Sequence, residues 1–200
     1  MHPNPKFRWQ DREAMAVFVQ QAGFGTLFAQ TAAGPRAVQT PALLEGDRLR
    51  FHIARGNAIH RHLAAGPAEA LYVVSGADAY VSPDWYGMAD RVPTWNYVAV
   101  ELEGTVRSLD RAGLVEQLDD LSAEHEARLA PKRPWTRAKM SEARFEALLG
   151  AISGFEMEIA DWRGTLKLGQ DKPAQARAAV ADALSERGDT RMAALMRTVE

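Results

Sequence analysis

The sequence predicts an α+β protein built on an antiparallel β-barrel. Six or seven strand-like runs extend from near residue 25 to near residue 168. Short turns rich in Gly and Pro join the first of them, and helical segments are inserted between the later ones. A doubly wound parallel sheet would instead need strand and helix to alternate regularly, and this chain lacks that pattern.

Residues 1–10 read as an extended arm, because Pro3 and Pro5 disfavour a helix. Asp11 can cap a helix reaching Ala22, whose Met15, Phe18, Val19 and Ala22 recur at helical spacing. Gly23 and Gly25 end it. Gly25 to Thr31, Arg36 to Leu44 and Leu49 to Ile53 alternate in polarity, and turns at Ala32–Pro35 and Glu45–Arg48 join them into a meander. Asn57 to Ala65 reads as a short helix stopped by Gly66-Pro67. Ala70 to Val74 is a buried strand and Ala79 to Val81 a further short one. Val98 to Leu109 is the next strand, with Gly104 marking a bulge or bend.

Asp110 can cap a long helix to about Leu129, striped with Leu114, Val115, Leu118 and Leu121. Pro131 and Pro134 stiffen the link to a second helix, Ser141 to Leu149. Phe155 to Ile159 alternates as a strand that continues to Arg163 or Leu168. Pro173 suits the first position of a helix through Leu184, and a last short helix covers Thr190 to Met196. The expected division is a barrel domain over residues 1–172, with a helical insertion at about 110–150, and a helical extension over 173–200.

Composition narrows the function. The chain has 200 residues, 46% hydrophobic and 25% charged, which suits one sizeable core. A net charge of −2 gives no global attraction to nucleic acid or to an anionic membrane. Zero cysteines exclude disulfides, thiolate metal sites and cysteine nucleophiles. No apolar run approaches the roughly 20 residues of a membrane helix, and the start of the chain lacks a signal-peptide core. A cytoplasmic location is expected.

The stretch Tyr80 to Tyr97 stands out. It holds two of the five Trp and three of the four Tyr, with Pro83 and Pro93 around its middle. Aromatic faces stack on flat ligands, while Asn, Ser, Thr and Tyr bond a ligand's edge. The same composition also fits a stiff connector that plugs a barrel end or fills a dimer interface.

Ser82-Pro83-Asp84-Trp85-Tyr86 and Val92-Pro93-Thr94-Trp95-Asn96-Tyr97 resemble a signature of the PaiB family, described as FMN-binding negative transcriptional regulators. Three other stretches carry the resemblance over nearly the whole chain: Pro3, Pro5 and Phe7 at the start, Phe51-His52-Ile53-Ala54-Arg55-Gly56-Asn57, and Gly164-Thr165-Leu166-Lys167-Leu168-Gly169-Gln170-Asp171. The resemblance implies a split β-barrel of the FMN-binding type, working as a homodimer with the flavin across the subunit interface. It also implies an FMN-binding regulator acting through its flavin or a small-molecule signal. An FMN-dependent oxidoreductase, or a non-catalytic module that binds haem or a partner, is the alternative.

The residues suggest where FMN sits. Within Phe51-His52-Ile53-Ala54-Arg55-Gly56-Asn57 a strand ends and a short helix begins. Backbone N–H groups there, Arg55 and the Asn57 amide make a phosphate cradle, and Gly56 lets the chain approach an anion. The same residues also read as a capped helix beside a surface arginine. The resemblance places the FMN phosphate here, although Ala58 stands where the family usually has proline. Thr40 lies on a strand edge that could meet the flavin ring, or solvent. Lys167 can pair with phosphate and Gln170 with ring edges, although Gly169 and Asp171 depart from the pattern. Trp95, Asn96 and Tyr97 are expected to reach the flavin from the partner subunit.

Other chemistries find less support. His60 and His62 are two apart on an expected helix, so their side chains diverge and do not chelate a metal. Ser82 lacks a nucleophile elbow, and Gly23-Phe24-Gly25 lacks the third glycine of a dinucleotide fingerprint. Residues 174–197 have the outline of a helix-turn-helix, but the second helix lacks a dense basic face, so direct DNA binding is weakly supported.

Overall fold

In a computed structural model, residues 2–199 are described. Met1, at the head of the expected arm, and Glu200, at the end of the expected extension, lie outside them. The described residues form seven strands and six α-helices. These are β1 (Arg8–Trp9), α1 (Arg12–Ala22), β2 (Phe24–Thr31), β3 (Gly34–Glu45), β4 (Arg48–Ala54), α2 (Ala58–Ala64), β5 (Ala68–Val81), β6 (Thr94–Ser108), α3 (Arg111–Ala127), α4 (Glu142–Leu149), β7 (Ile152–Lys167), α5 (Ala174–Glu186) and α6 (Thr190–Thr198).

The strands run β1-β7-β4-β3-β2-β5-β6, and a further β6–β7 pairing closes the circuit. The registers are antiparallel. Phe24 faces Pro41 across β2 and β3, and Phe51 faces Phe155 across β4 and β7. Closure leaves β1 as an added strand on β7, with Trp9 opposite Gly164. Closing a barrel in this way removes the exposed edges that invite aggregation.

Two compact units make up the chain. One comprises Met1–Met15, Ser75–Glu101 and Arg163–Glu200; the other comprises Ala16–Val74 and Leu102–Trp162.

In the second unit the Phe51 ring stacks 6.3 Å from Tyr72 and 6.0 Å from Phe155. All three are fully buried. The Tyr72 hydroxyl reaches a polar end of this stack and donates to the Thr40 carbonyl at 2.8 Å. Burial pushes its phenol well above the usual range. A side chain at Gly25 would stand 2.6 Å from the Tyr72 ring, so the ring occupies the place a Cβ would take. Leu114, Phe145 and Leu149 form a smaller cluster between α3 and α4.

In the first unit α5 and α6 bury Val180, Leu184, Met192 and Met196. Arg197 on α6 donates to Asp182 on α5 at 2.7 Å and to Ser185 at 3.3 Å. Arg177 is buried, and its guanidinium donates to the Val199 carbonyl at 2.8 Å.

Several sequence expectations are corrected. The two runs Ala70–Val74 and Ala79–Val81 are parts of one long strand, β5. The stretch between them stays extended because pairing in the sheet holds it, whatever its local propensity. Trp95, Asn96 and Tyr97 lie within β6, which begins at Thr94, and not in a loop. The arm holds a 3-10 turn at Pro5–Phe7, where Asn4 accepts from the Lys6 N–H and Pro5 has no N–H that needs an acceptor. α3 stops at Ala127, two residues early, and Pro173 stands just before α5. At Gly104 a Cβ would lie 2.0 Å from the Glu158 carbonyl oxygen. Glycine is needed there because the backbones of β6 and β7 approach too closely for a side chain.

Candidate functional site

The expected site residues fall into two groups, one in each unit. The first gathers at the end of β4. Thr40 on β3 is buried, and its hydroxyl donates to the His52 carbonyl at 2.7 Å. It braces the strand from inside and faces neither solvent nor an open edge. His52 is half-buried, with its Nδ1 3.3 Å from the Gln117 amide nitrogen. Burial lowers the pKa of its imidazole, so the neutral ring is favoured. Ala54 is exposed at the strand end, and its side chain offers only a methyl group.

Arg55 follows on an exposed turn. Its N–H donates to the Ala151 carbonyl at 2.9 Å and its Nε to the Ile152 carbonyl at 3.0 Å. The guanidinium is therefore held at its base, while its terminal nitrogens meet no hydrogen-bonding partner among the described residues. Asn57 caps α2: its Oδ1 accepts from the Ile59 N–H at 2.9 Å, leaving the amide donors available. That cap secures the helix start without the proline usual at position 58. Nothing lies within 4 Å of where a Cβ on Gly56 would be, so the turn stays open to a ligand.

These residues border a cavity of about 800 Å³. The sequence reading missed four others on its wall: Arg36 at the start of β3, and His60, Arg61 and His62 on α2. Arg36 precedes Arg55 by 19 positions and belongs to no motif, so only hairpin geometry reveals it. The His60 ring is 2.9 Å from the Ser153 hydroxyl, and both burial and the nearby Arg55 charge lower its pKa. Among the described residues no carboxylate lines this cavity. On another side Arg55 borders a smaller cavity of about 250 Å³, where Arg111 is already paired with Glu146. Gln117, also missed, is fully buried, and its Oε1 lacks a partner.

The second group lies in the first unit. Trp95 is 54% exposed and meets Tyr80 edge-on at 6.2 Å. Tyr97 is half-buried. Asn96 is 1% exposed, and its amide donates to the Met196 sulfur at 3.3 Å, so it faces α6. Lys167 donates to the Thr94 hydroxyl at 2.5 Å and stands 5.8 Å from the Phe7 ring centre. Burial lowers its pKa. Gln170 closes on its own turn: Oε1 accepts from the Leu168 N–H at 2.8 Å and Nε2 donates to the Leu166 carbonyl at 2.6 Å. Lys167, Asn96, Arg91 and Tyr86 border a cavity of about 290 Å³ that Asp90 and Asp171 also line.

The chain matches the family described as "Putative FMN-binding domain" over residues 1–161, and it belongs to that family. The PaiB resemblance holds as well. The chain is 29% identical over 170 residues to "Protease synthase and sporulation protein PAI 2" of Bacillus subtilis strain 168, covering 83% of this chain and 80% of the relative. Among solved structures it is similar to the FAD and Heme binding protein from Mycobacterium smegmatis, with TM-score 0.59 and 23% identity over 81% of this chain and 74% of that one. It is also similar to the flavocytochrome Anf3 from Azotobacter vinelandii, with TM-score 0.60 and 17% identity over 84% and 73% of the two chains. These likenesses show the fold to be an antiparallel split β-barrel with peripheral helices. FMN is the cofactor of the family, and the donor set at the end of β4 fits a phosphate. It offers a braced guanidinium, an amide with available donors, an open glycine turn and no carboxylate. No helix of the described residues is long and apolar enough to cross a membrane.

Proposed function

We propose that this protein binds FMN by its phosphate at Arg55 and Asn57 and acts as a PaiB-type negative regulator. The observation that carries the reading is the carboxylate-free cavity at the end of β4, with Arg55 tethered through Nε and its remaining nitrogens directed to no other group. A planar guanidinium held at its base is pre-organised to donate two parallel bonds to a phosphate. Asn57 adds an amide donor, while Thr40 holds β3 to β4 beneath. When bound, the flavin supplies hydride or electron chemistry itself, and the protein contributes position and electrostatics. Residues 1–172 are the flavin domain in this reading, the helices at about 110–150 are its insertion, and 173–200 are a helical extension.

The active unit of the proposal is a homodimer. Trp95, Tyr80 and Val92 are exposed apolar groups in one unit, with Val92 75% accessible. Exposed apolar side chains concentrated on one short stretch suit a partner surface. Trp95 and Tyr97 are the side chains offered to the partner's flavin, while Asn96 and Gln170 hold the framework behind them.

Regulation works through the flavin or a small-molecule signal and not through base reading by α5 and α6. Three cations of that hairpin are engaged within the protein, while Arg191 is exposed and has no ion pair among the described residues. Arg197 pairs with Asp182, Arg177 holds the Val199 carbonyl, and Arg187 lies 5.5 Å from the Trp85 ring centre. Base readout needs side chains directed outward at a groove.

Titrating the apo-protein with FMN, followed by flavin fluorescence, tests the reading. Arg55→Ala should weaken binding on the order of 10- to 100-fold while leaving the melting temperature within a few degrees. Equal affinity in the two proteins would overturn the cradle. Light scattering should give twice the chain mass, and a specific duplex should bind no better than an unrelated one.

A further inference from the structure

The cavity at Arg55 is larger and more basic than one phosphate requires. Ligand pockets span roughly 300–1,000 Å³, and this one reaches about 800 Å³. Its wall carries three arginines, Arg36, Arg55 and Arg61, together with His60 and His62. No Asp or Glu among the described residues lines it, although the chain as a whole carries a net charge of −2. The other ion pairs of the same unit show what usually becomes of its arginines: Arg50 meets Glu45 and Asp120, and Arg128 meets Glu124. Arg36 donates only to the neighbouring Pro35 carbonyl, and Arg61 has no carboxylate partner among the described residues.

Arg36 and Arg61 enter from different elements. Arg36 stands at the start of β3, next to the turn that joins β2 to β3, and Arg61 lies on α2, one turn beyond the Asn57 cap. Three like charges around one cavity repel one another, and an anion of matching charge relieves that repulsion. A single phosphate can be cradled by Arg55 and Asn57 alone. Two guanidinium groups on separate elements then remain unmatched.

We infer that Arg36 and Arg61 hold a second phosphate group, so that this cavity receives a dinucleotide. The inference rests on the placement of the FMN phosphate at Arg55. The second phosphate has two sources of the same chemistry. It can belong to the flavin ligand itself, as the pyrophosphate of FAD, or to a nicotinamide dinucleotide bound beside FMN.

The test compares wild type with Arg36→Ala/Arg61→Ala and, separately, with Arg55→Ala. Each protein is titrated with FMN, with FAD and with inorganic pyrophosphate, and the FMN-loaded protein is titrated with NADPH. Arg36 and Arg61 are exposed, so the double variant should keep its melting temperature. The expected result is that pyrophosphate affinity falls about tenfold or more in the double variant while FMN affinity changes less than about threefold. A parallel loss for FAD identifies the flavin's own pyrophosphate, and a loss confined to NADPH on FMN-loaded protein identifies the separate nucleotide. Wild type that binds pyrophosphate, FAD and NADPH no better than the double variant overturns the inference. If Arg55→Ala leaves FMN binding unchanged, the cradle reading falls instead, and the pyrophosphate comparison still decides the role of Arg36 and Arg61.

Discussion

The two units carry similar polar inventories and use them in opposite ways. Around the Arg55 cavity the arginines stand on an exposed turn, at the start of β3 and on α2, their guanidinium groups are tethered at most by one bond, and they share the cavity with no carboxylate among the described residues. Around the Lys167 cavity the cation and amides are engaged with the protein: Lys167 with Thr94, Asn96 with Met196, and Gln170 with its own backbone. Asp90 and Asp171 line that second cavity. A donor already satisfied within the fold gains little from a ligand, because it exchanges one bond for another. A donor held in place but unsatisfied gains the whole interaction. The contrast therefore separates groups left available to a ligand from groups that hold a frame.

The substitution that breaks this contrast most strongly is Asn57→Asp. The carboxylate can still accept from the Ile59 N–H, so α2 keeps its cap. It also places a negative charge beside the proposed phosphate site. FMN affinity should fall on the order of tenfold or more in a fluorescence titration, with a nearly unchanged thermal melt. Loss of both together would mean that Asn57 serves the helix alone.

Next in size is Tyr72→Phe. It removes the hydroxyl that serves the Thr40 carbonyl and leaves a buried acceptor without that donor. Urea unfolding should show a loss of about 1–3 kcal/mol, with FMN affinity changed far less than by Asn57→Asp.

A smaller effect concerns pH. Burial holds the His52 pKa below its ordinary value of 6.5, so the folded state binds its proton less readily than the unfolded chain. The associated stability is complete above pH 6.5 and declines as pH falls through the folded pKa. Comparing His52→Gln with wild type by urea unfolding between pH 7.5 and about pH 5 should give curves that converge at the acid end. Parallel curves would show that His52 titrates equally in both states.

The smallest change is expected from Arg197→Ala. Its pair with Asp182 is exposed on both sides, so the stability should shift by about 0–1 kcal/mol and FMN affinity should stay the same. A large effect on specific duplex binding would contradict the framework role of α5 and α6.

Much of the fold was legible in the chain because its signals are local. Asp11, Asn57, Asp110 and Ser141 each precede a helix and cap it with their side chains. The β2–β3–β4 meander followed from polarity alternation and turn residues. Where local signals misled, pairing decided: Ala70–Val74 and Ala79–Val81 read as separate strands, yet β5 runs through both. Asn96 looked like a ligand donor because residue type and neighbourhood are visible in sequence, whereas the direction of a strand side chain is not.

The sequence by itself determined the fold class, the family and the place of Arg55 and Asn57 at a strand-to-helix junction. Each of these depends on residues adjacent or at fixed spacing along the chain. Only the tertiary structure decided which donors stay available. It brought Arg36 and Arg61 to the wall beside Arg55, set Gln117 against His52, and turned Asn96 toward Met196. Those outcomes depend on strand register and barrel closure, which join positions tens of residues apart and leave no periodic mark on the chain.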